Sequence, residues 1–534
     1  MQEVLVLGDE ALALGAVDAG LSVAYGYPGT PSTEILEYLI NYHEKKDPEL
    51  IARWCTNEKT AFEGAVGVSY AGRRSLVTMK HVGLNVASDA FMNSALMKIN
   101  GGLVVAVADD PGMHSSQNEQ DSRFYADFAR IICFEPGNHQ EAYNMTVEAY
   151  RVSEFFHIPV MIKLVTRLSH SRAVIIRGET ASKTNFGKAP ERKDWMALPA
   201  LSRKSWENHI KLQKDFEEYS EKSSFNKLDI NSGRRDIAVI TTGLGGNYYR
   251  ENLSDLDPPP SHLHIGLYPA PVEKIRKLCG CVDKIIIIEE GYPFVERFVR
   301  GILPHDKIIN GKMDSTVVPA GELDPDNVRK SLGLPPLPAQ SPVPGPLPGR
   351  PPQLCAGCPH KDSFTALNEA VEKLGGGTVT SDIGCYALGA YPPYNAIETL
   401  LCMGASIGMA RGAAESGLKN VVATIGDSTF LHSGITALID AVSTDTPMTI
   451  MILDNSTTAM TGGQDTILSS ARIKQVVLGC GVSPEHLREI IPLPKNHEKN
   501  VGILMEEIAH NGLSVIIPLR ECVQTLRQKN KKSQ

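Results

Sequence analysis

The sequence predicts a multidomain α/β protein built on parallel sheets, and three observations carry that reading. Short apolar strands alternate with helical segments through residues 1 to about 180. Near the other end, Val421-Val422-Ala423-Thr424-Ile425 runs straight into Gly426-Asp427-Ser428, and a second apolar run, Met448 to Leu453, stops just before Asn455. Between these blocks, Pro335 to Pro352 holds nine prolines in eighteen residues, too many for either regular element.

Taken in order, the first section (1–180) places strands at Val4–Leu7, Val23–Tyr25, Ile51–Cys55, Ser75–Met79, Leu103–Ala108 and Val160–Leu164. Strands spaced by helical segments are the pattern of a parallel layer. Residues 181–232 are polar and charged, with a surface helix predicted around Trp206 to Tyr219. A second α/β section covers 233–320, with strands near Ile237–Thr241 and Ile285–Ile288. Residues 321–353 form the proline-rich tether, and 354–534 return to α/β.

The composition fits a large cytoplasmic enzyme. Across 534 residues, 42% are apolar and the formal net charge is −8, which argues against a general nucleic-acid binder. No uncharged run is long enough to span a membrane. Glu3, Asp9 and Glu10 interrupt the N-terminal apolar stretch, as a signal peptide would not allow. Ten cysteines in so long a chain do not make a disulfide scaffold.

The strand–helix–strand unit around Gly426 has a chemical consequence. A right-handed crossover sets its two strands parallel and opens both carboxyl ends on one side of the sheet. Asp427 and Asn455, 28 residues apart, are thereby expected to converge. An aspartate oxygen, an amide oxygen and a nearby carbonyl such as that of Thr457 suit Mg²⁺, with diphosphate oxygens completing its coordination. Gly426 admits a phosphate close to the backbone, and Ser428 opens a helix whose N–H groups favour negative charge. The arrangement resembles the diphosphate-binding motif of thiamine diphosphate enzymes.

Cysteines supply a second constellation. Cys355-Ala-Gly-Cys358 opens the last section, Cys385 lies 27 residues on, and Cys522 follows the final apolar strand, Ser514 to Pro518. A lone CxxC is compatible with zinc, a redox disulfide or chance, and four thiolates suit zinc or an iron–sulfur cluster. Cys402 and Cys480 are expected to pack, and Cys279 and Cys281 to be structural.

Longer matches identify the family. They are Gly26-Tyr-Pro-Gly-Thr30-Pro-Ser32, Asn57-Glu58-Lys59, Lys80-His81-Val-Gly-Leu-Asn85, Glu289-Glu290-Gly291, Leu354-Cys-Ala-Gly-Cys-Pro-His360, Asp382-Ile-Gly-Cys385-Tyr386 and Thr457-Thr-Ala-Met-Thr-Gly462. In this order, across nearly the whole chain, they resemble the large subunits of the indolepyruvate ferredoxin oxidoreductases, within the wider family of 2-oxoacid:ferredoxin oxidoreductases. The resemblance implies thiamine diphosphate-binding domains for the aminopyrimidine (first section) and the diphosphate (last section), with the thiazolium between them, and a transketolase C-terminal-like domain at 233–320.

It also implies roles. Glu58 hydrogen-bonds the aminopyrimidine and helps the cofactor lose its C2 proton; on its own it reads equally as a glutamate favoured by the helix dipole. Thr30 contacts the substrate carboxylate. His81 and Asn85 lie on a loop facing the cofactor, His81 as a proton carrier or as a structural histidine. Cys355, Cys358, Cys385 and Cys522 hold a [4Fe–4S] cluster. The implied reaction is oxidative decarboxylation of a 2-oxoacid, an arylpyruvate such as indolepyruvate, with single electrons passing to the cluster and coenzyme A capturing the acyl group. A non-redox thiamine diphosphate decarboxylase and a catalytically silent assembly subunit are the other readings. The family's two C-terminal cysteine-rich runs are absent from this sequence, so electrons are expected to leave for ferredoxin or another iron–sulfur or flavin carrier. A separately encoded small subunit of the beta/gamma type, in an α2β2 assembly, is the expected partner.

Overall fold

The computed structural model describes residues 2–184, 186–338, 345, 349 and 351–532, and the chain divides into two compact units, Met1–Pro342 and Val343–Gln534. Of the tether expected over 321–353, residues 339–344, 346–348 and 350 lie outside the described residues, and its first part is instead the helix Pro325–Ser331, whose Val328 joins the core of the first unit.

In the first unit a seven-stranded sheet runs in the order Leu267–Tyr268, Cys133–Phe134, Val160–Val165, Leu103–Asp109, Ser75–Lys80, Val23–Gly26, Ile51–Trp54. Only the edge strand Leu267–Tyr268 is antiparallel to its neighbour. Every residue of Leu103–Asp109 is buried, as a central parallel strand covered on both faces requires. The first predicted strand does not join this layer. Gln2–Leu7 pairs antiparallel with Arg172–Arg177 in a two-stranded ribbon. Three of its six residues are exposed, Leu5 included, which suits a ribbon with a wet face and not a strand covered on both sides.

A second sheet in this unit has the order Ile308–Asn310, Lys284–Ile288, Ile237–Thr242, Ser261–Ile265, Asn226–Asp229, with only the last strand antiparallel. The surface helix predicted around Trp206 to Tyr219 is longer, Pro199–Lys222, with Pro199 at its start, where the missing N–H costs nothing.

The second unit is a six-stranded, wholly parallel sheet: Thr399–Leu400, Thr378–Ser381, Val421–Gly426, Met448–Leu453, Ser514–Pro518, Leu487–Ile490. Side chains alternate between two cores. Ala423, Ile425, Ile450, Ile452, Val515 and Ile517 enter one; Val422, Met451, Leu453 and Ile516 enter the other, the period-two pattern of a strand buried on both faces. Gly426 pairs with Leu453 at the carboxyl ends of adjacent strands. The helix between them runs from Asp427 to Ser443 with a π-helical turn at Phe430–Gly434. Such turns gather at functional sites.

Among the described residues no helix is long and apolar enough to cross a membrane.

Candidate active site

Candidate residues lie in both units. In the first they cluster where parallel strands end, the usual ligand-binding edge of such a sheet. The turn after Val23–Gly26 is locked by its own side chains: Ser32 Oγ donates to the Gly29 carbonyl at 2.8 Å, and Gly29 N donates to Thr33 Oγ1 at 3.0 Å. Thr30 sits in this turn. The bare α-carbon of Gly29 faces the Lys80 stem, whose Cδ would lie 3.1 Å from an added Cβ.

Asn57 caps the helix Glu58–Tyr70, its side chain accepting from Thr60 N at 2.9 Å. Glu58 therefore opens the helix, and it is buried. Its carboxylate lies against Gly83: a Cβ there would stand 2.6 Å from Glu58 Oε1. Lys80 ends its strand and His81 begins the helix His81–Ser94, where a loop was expected. His81 is buried and its Nε2 donates to the Asn118 carbonyl at 3.1 Å. Its Nδ1 is buried without a hydrogen-bond partner. Burial, then the Lys80 charge, hold the ring below the ordinary histidine value, so Nδ1 is a bare acceptor in the neutral form. Asn85 is exposed, and its Oδ1 accepts from Tyr125 OH at 2.7 Å. No described contact joins it to Thr30 or Glu58.

Two features escaped the sequence reading. Lys80 is buried; desolvation pulls its ammonium down to about 8, although Asp110 and Glu58 oppose the shift. The other is the polar segment Ser115–Asn118, which arches over the strand ends. Asp110 Oδ2 accepts from Ser115 N at 2.8 Å and Ser116 Oγ at 2.7 Å. Ser115 then accepts Lys80 Nζ at 2.9 Å and donates Oγ to the Thr30 carbonyl at 3.1 Å. The available signal was Asp109-Asp110-Pro-Gly directly after a buried strand.

In the second unit, Asp427 follows Gly426, and Asn455 stands two residues past Leu453, the strand partner of Gly426, so both lie at the carboxyl ends of adjacent strands. Asn455 Oδ1 accepts from Thr457 N at 3.1 Å, and its Nδ2 faces His360 Nε2 at 3.2 Å. Thr457 Oγ1 is occupied by the Gln464 carbonyl at 3.0 Å. Ser428 Oγ bonds Thr458 Oγ1 at 2.7 Å, tying the helix start to the same loop. Asp454, also missed, completes the group. Asp427 Oδ2 and Asp454 Oδ2 are both buried without a hydrogen-bond donor. Burial and then the Asp454 carboxylate push Asp427 well above the usual carboxylate range. Two buried acid oxygens without a donor suit a cation. Gly426 meets a further demand for glycine: the Tyr386 ring would lie 2.6 Å from an added Cβ.

The four cysteines stand near one another. Cys358 is buried, and the thiol of half-buried Cys385 is pushed up to about 12 by desolvation and then by Cys358, Cys522 and Cys355. Gln524 Nε2 reaches Cys355 Sγ at 3.4 Å, and Cys522 N donates to the Asn455 carbonyl at 3.1 Å. Among the described residues no three His, Cys, Asp or Glu side chains are close enough to hold a single metal ion. Cys402, expected to pack, is exposed.

Comparison with known proteins places this arrangement. The family model for pyruvate flavodoxin/ferredoxin oxidoreductase, thiamine diphosphate-binding, matches residues 14–208, and that for the C-terminal binding domain of thiamine pyrophosphate enzymes matches 382–485. Indolepyruvate oxidoreductase subunit IorA of Archaeoglobus fulgidus is 37% identical over 98% of this chain and 86% of its own. The chain belongs to the IorA family. The protein of the same name from Methanothermobacter thermautotrophicus is 34% identical over 98% of this chain and 87% of its own. The 2-oxoglutarate:ferredoxin oxidoreductase of Magnetococcus marinus, solved with 2-oxoglutarate, coenzyme A and succinyl-CoA, is 17% identical, with a TM-score of 0.50 over 58% of this chain and 62% of that one; it supports the fold. As an IorA-family chain, the protein is a subunit of a thiamine diphosphate-dependent 2-oxoacid oxidoreductase.

Proposed function

We propose that the chain oxidatively decarboxylates an arylpyruvate such as indolepyruvate to its acyl-CoA and passes the electrons through a [4Fe–4S] cluster to ferredoxin or a similar carrier. We further propose that it works with a small subunit, in an α2β2 assembly. The observation that carries the redox reading is the mutual approach of Cys355, Cys358, Cys385 and Cys522, one of them bonded to Asn455. A decarboxylase without electron transfer has no use for four gathered thiols beside its diphosphate loop.

Thiamine diphosphate supplies the nucleophilic carbon and the electron sink when bound. The residues of the chain do the rest. Asp427, Asn455 and the Thr457 carbonyl hold Mg²⁺ and through it the diphosphate, with Gly426 and Ser428 beside it. Glu58 holds a proton at the aminopyrimidine. Thr30 and Lys80 bind the substrate carboxylate, Lys80 through the ammonium hydrogens that Ser115 leaves free. His81, with its bare Nδ1, and Asn85 face the substrate, and the Ser115–Asn118 arch excludes water, which strengthens these interactions.

Gly83→Ala is expected to leave the melting temperature within a few degrees of wild type while turnover falls about a hundredfold. The added methyl meets a flexible side chain that can swing away, so the damage is a misplaced Glu58 carboxylate. A variant with wild-type turnover would show that the placement of Glu58 is unimportant.

Magnesium binding has its own test. In the metal-free chain burial and then the Asp454 carboxylate raise Asp427 well above the usual carboxylate range, so ligation favours loss of its proton and affinity for Mg²⁺ with the diphosphate rises with pH. Calorimetry in buffers of different ionisation enthalpy is expected to show net proton release. Proton-neutral binding would remove Asp427 from the ligand set.

The overall reading is tested by anaerobic purification with the partner subunit, iron analysis and a visible spectrum before and after indolepyruvate with coenzyme A. About four irons per chain and a blue-region absorption bleached by substrate are expected. A colourless, iron-free protein that still releases CO₂ would establish the decarboxylase instead.

A further inference from the structure

The loop that carries Asn455 is held by two residues at or beside the cysteines, and a third braces one of them. His360 makes the first connection. It stands two residues after Cys358, whose carbonyl accepts from Lys361 N at 3.2 Å, while its buried ring reaches Asn455 Nδ2 at 3.2 Å. Cys522 makes the second, its N–H donating to the Asn455 carbonyl at 3.1 Å. Tyr386, next to Cys385, braces the first: its ring stands edge-on to His360, with centroids 5.9 Å apart, and fills the open face of Gly426.

The hydrogen bonds fix the chemistry of the Asn455 contact. Asn455 Oδ1 receives the Thr457 N–H at 3.1 Å, so the amide nitrogen, a donor only, is the atom that faces the imidazole. His360 Nε2 must then present a lone pair and carry its ring proton on Nδ1. A flipped amide would set N–H against the Thr457 N–H at one end and lose the donor to His360 at the other. The Thr457 N–H sets the amide orientation, and His360 holds it by accepting from the amide nitrogen. Groups behind a metal ligand set its orientation and affinity in this way.

We propose that His360 is a positioning residue for Asn455 and that, through it, the state of the cysteine site and the affinity for Mg²⁺–thiamine diphosphate are coupled. This rests on the cluster and magnesium assignments proposed above. Coupling between two sites is reciprocal: whatever the cluster does for cofactor affinity, the cofactor does for the cluster. Filling the thiols fixes the 355–360 segment and the backbone at Cys522, and both fix Asn455 before the cofactor arrives. Without them the loop must be ordered by the cofactor itself, which weakens binding.

The test measures the dissociation constant for Mg²⁺–thiamine diphosphate by calorimetry on the full chain, with its iron loaded and with its iron removed by chelation. Three proteins are compared: wild type, His360→Phe, which keeps a ring but loses the acceptor, and His360→Gln, whose side-chain oxygen can accept from Asn455. Wild type is expected to bind about tenfold more tightly when loaded. H360F is expected to lose that difference with its iron content unchanged, and H360Q to regain most of it. Equal loaded-to-stripped ratios in wild type and H360F would overturn the proposal, as would a wild-type ratio of one. A chain that takes up no iron fails the redox reading and the coupling with it. Weaker cofactor binding in H360F than in H360Q would then still support the positioning role, and equal binding would overturn it.

Discussion

Glu58→Gln is expected to fold normally, bind Mg²⁺–thiamine diphosphate, and turn over about a thousandfold more slowly than wild type. Glutamine keeps the length and the hydrogen-bonding oxygen of glutamate, so the cap by Asn57 and the fit against Gly83 survive. It lacks an exchangeable carboxyl proton, and positioned proton transfer is worth about 10²–10⁴ in rate. The measurement is the rate of substrate-dependent cluster reduction in single turnover, with deuterium exchange at the cofactor's C2 as the companion. Slow exchange with slow reduction places Glu58 at the proton-transfer step. Wild-type exchange in the variant would remove it from that role and leave it an ordinary glutamate favoured by the helix dipole.

The legible parts of this protein are those with local periodicity or fixed spacing. The strand Val421–Gly426 and its parallel partner Met448–Leu453, which put Asp427 and Asn455 at neighbouring strand ends, follow from one crossover rule, and the structure has them. Asp454 stood beside Asn455 in the sequence and was still missed. An aspartate before a loop usually caps a turn, and only its own buried, donorless Oδ2, like that of Asp427, marks it as something else. Lys80 was missed for a similar reason. A lysine at a strand end reads as solvated until tertiary packing of the Gly29 turn and the Ser115 arch buries it. The ribbon made by Gln2–Leu7 shows the opposite failure. Its local pattern reads as a strand, but nothing local says that its partner is Arg172–Arg177, some 170 residues away. The Glu289-Glu290-Gly291 motif carried the resemblance without a physical role, because its partners are brought to it only by the fold.

Those partners form a highly charged interior of the first unit, and removing the central cation is expected to cost a large share of that unit's stability. Arg123 is buried among carboxylates. It bonds Asp121 Oδ2 at 2.5 Å, Glu289 Oε2 at 3.0 Å and the Glu290 carbonyl at 2.7 Å, and reaches Tyr268 OH at 3.2 Å. Lys163 serves Glu135 at 2.9 Å in the same interior. Burial raises Asp121, but Arg123 and then Lys163 outweigh it and hold the carboxyl below its ordinary value. Burial leaves Asp109 and Glu290 raised to about 7. Arg123→Met fills similar space and strands Asp121 and Glu289 without their guanidinium. Breaking a buried pair in this way costs about 3–5 kcal/mol, a large share of the stability of a typical domain. The sign of the pH dependence separates this from a packing defect. Unpaired carboxylates bind protons more tightly folded than unfolded, so the deficit should be greatest at neutral pH and shrink as pH falls toward the unfolded carboxylate values, about 4. Wild type should show a weaker trend of the same sign, because Asp109 and Glu290 contribute stability that is lost as pH rises through about 7. Thermal melts of both proteins between pH 5 and 8 (as about 1-unit steps) measure the difference directly. A deficit that stays constant across that range would mean that Arg123 acts through its volume alone, and that the charges around it are satisfied without it.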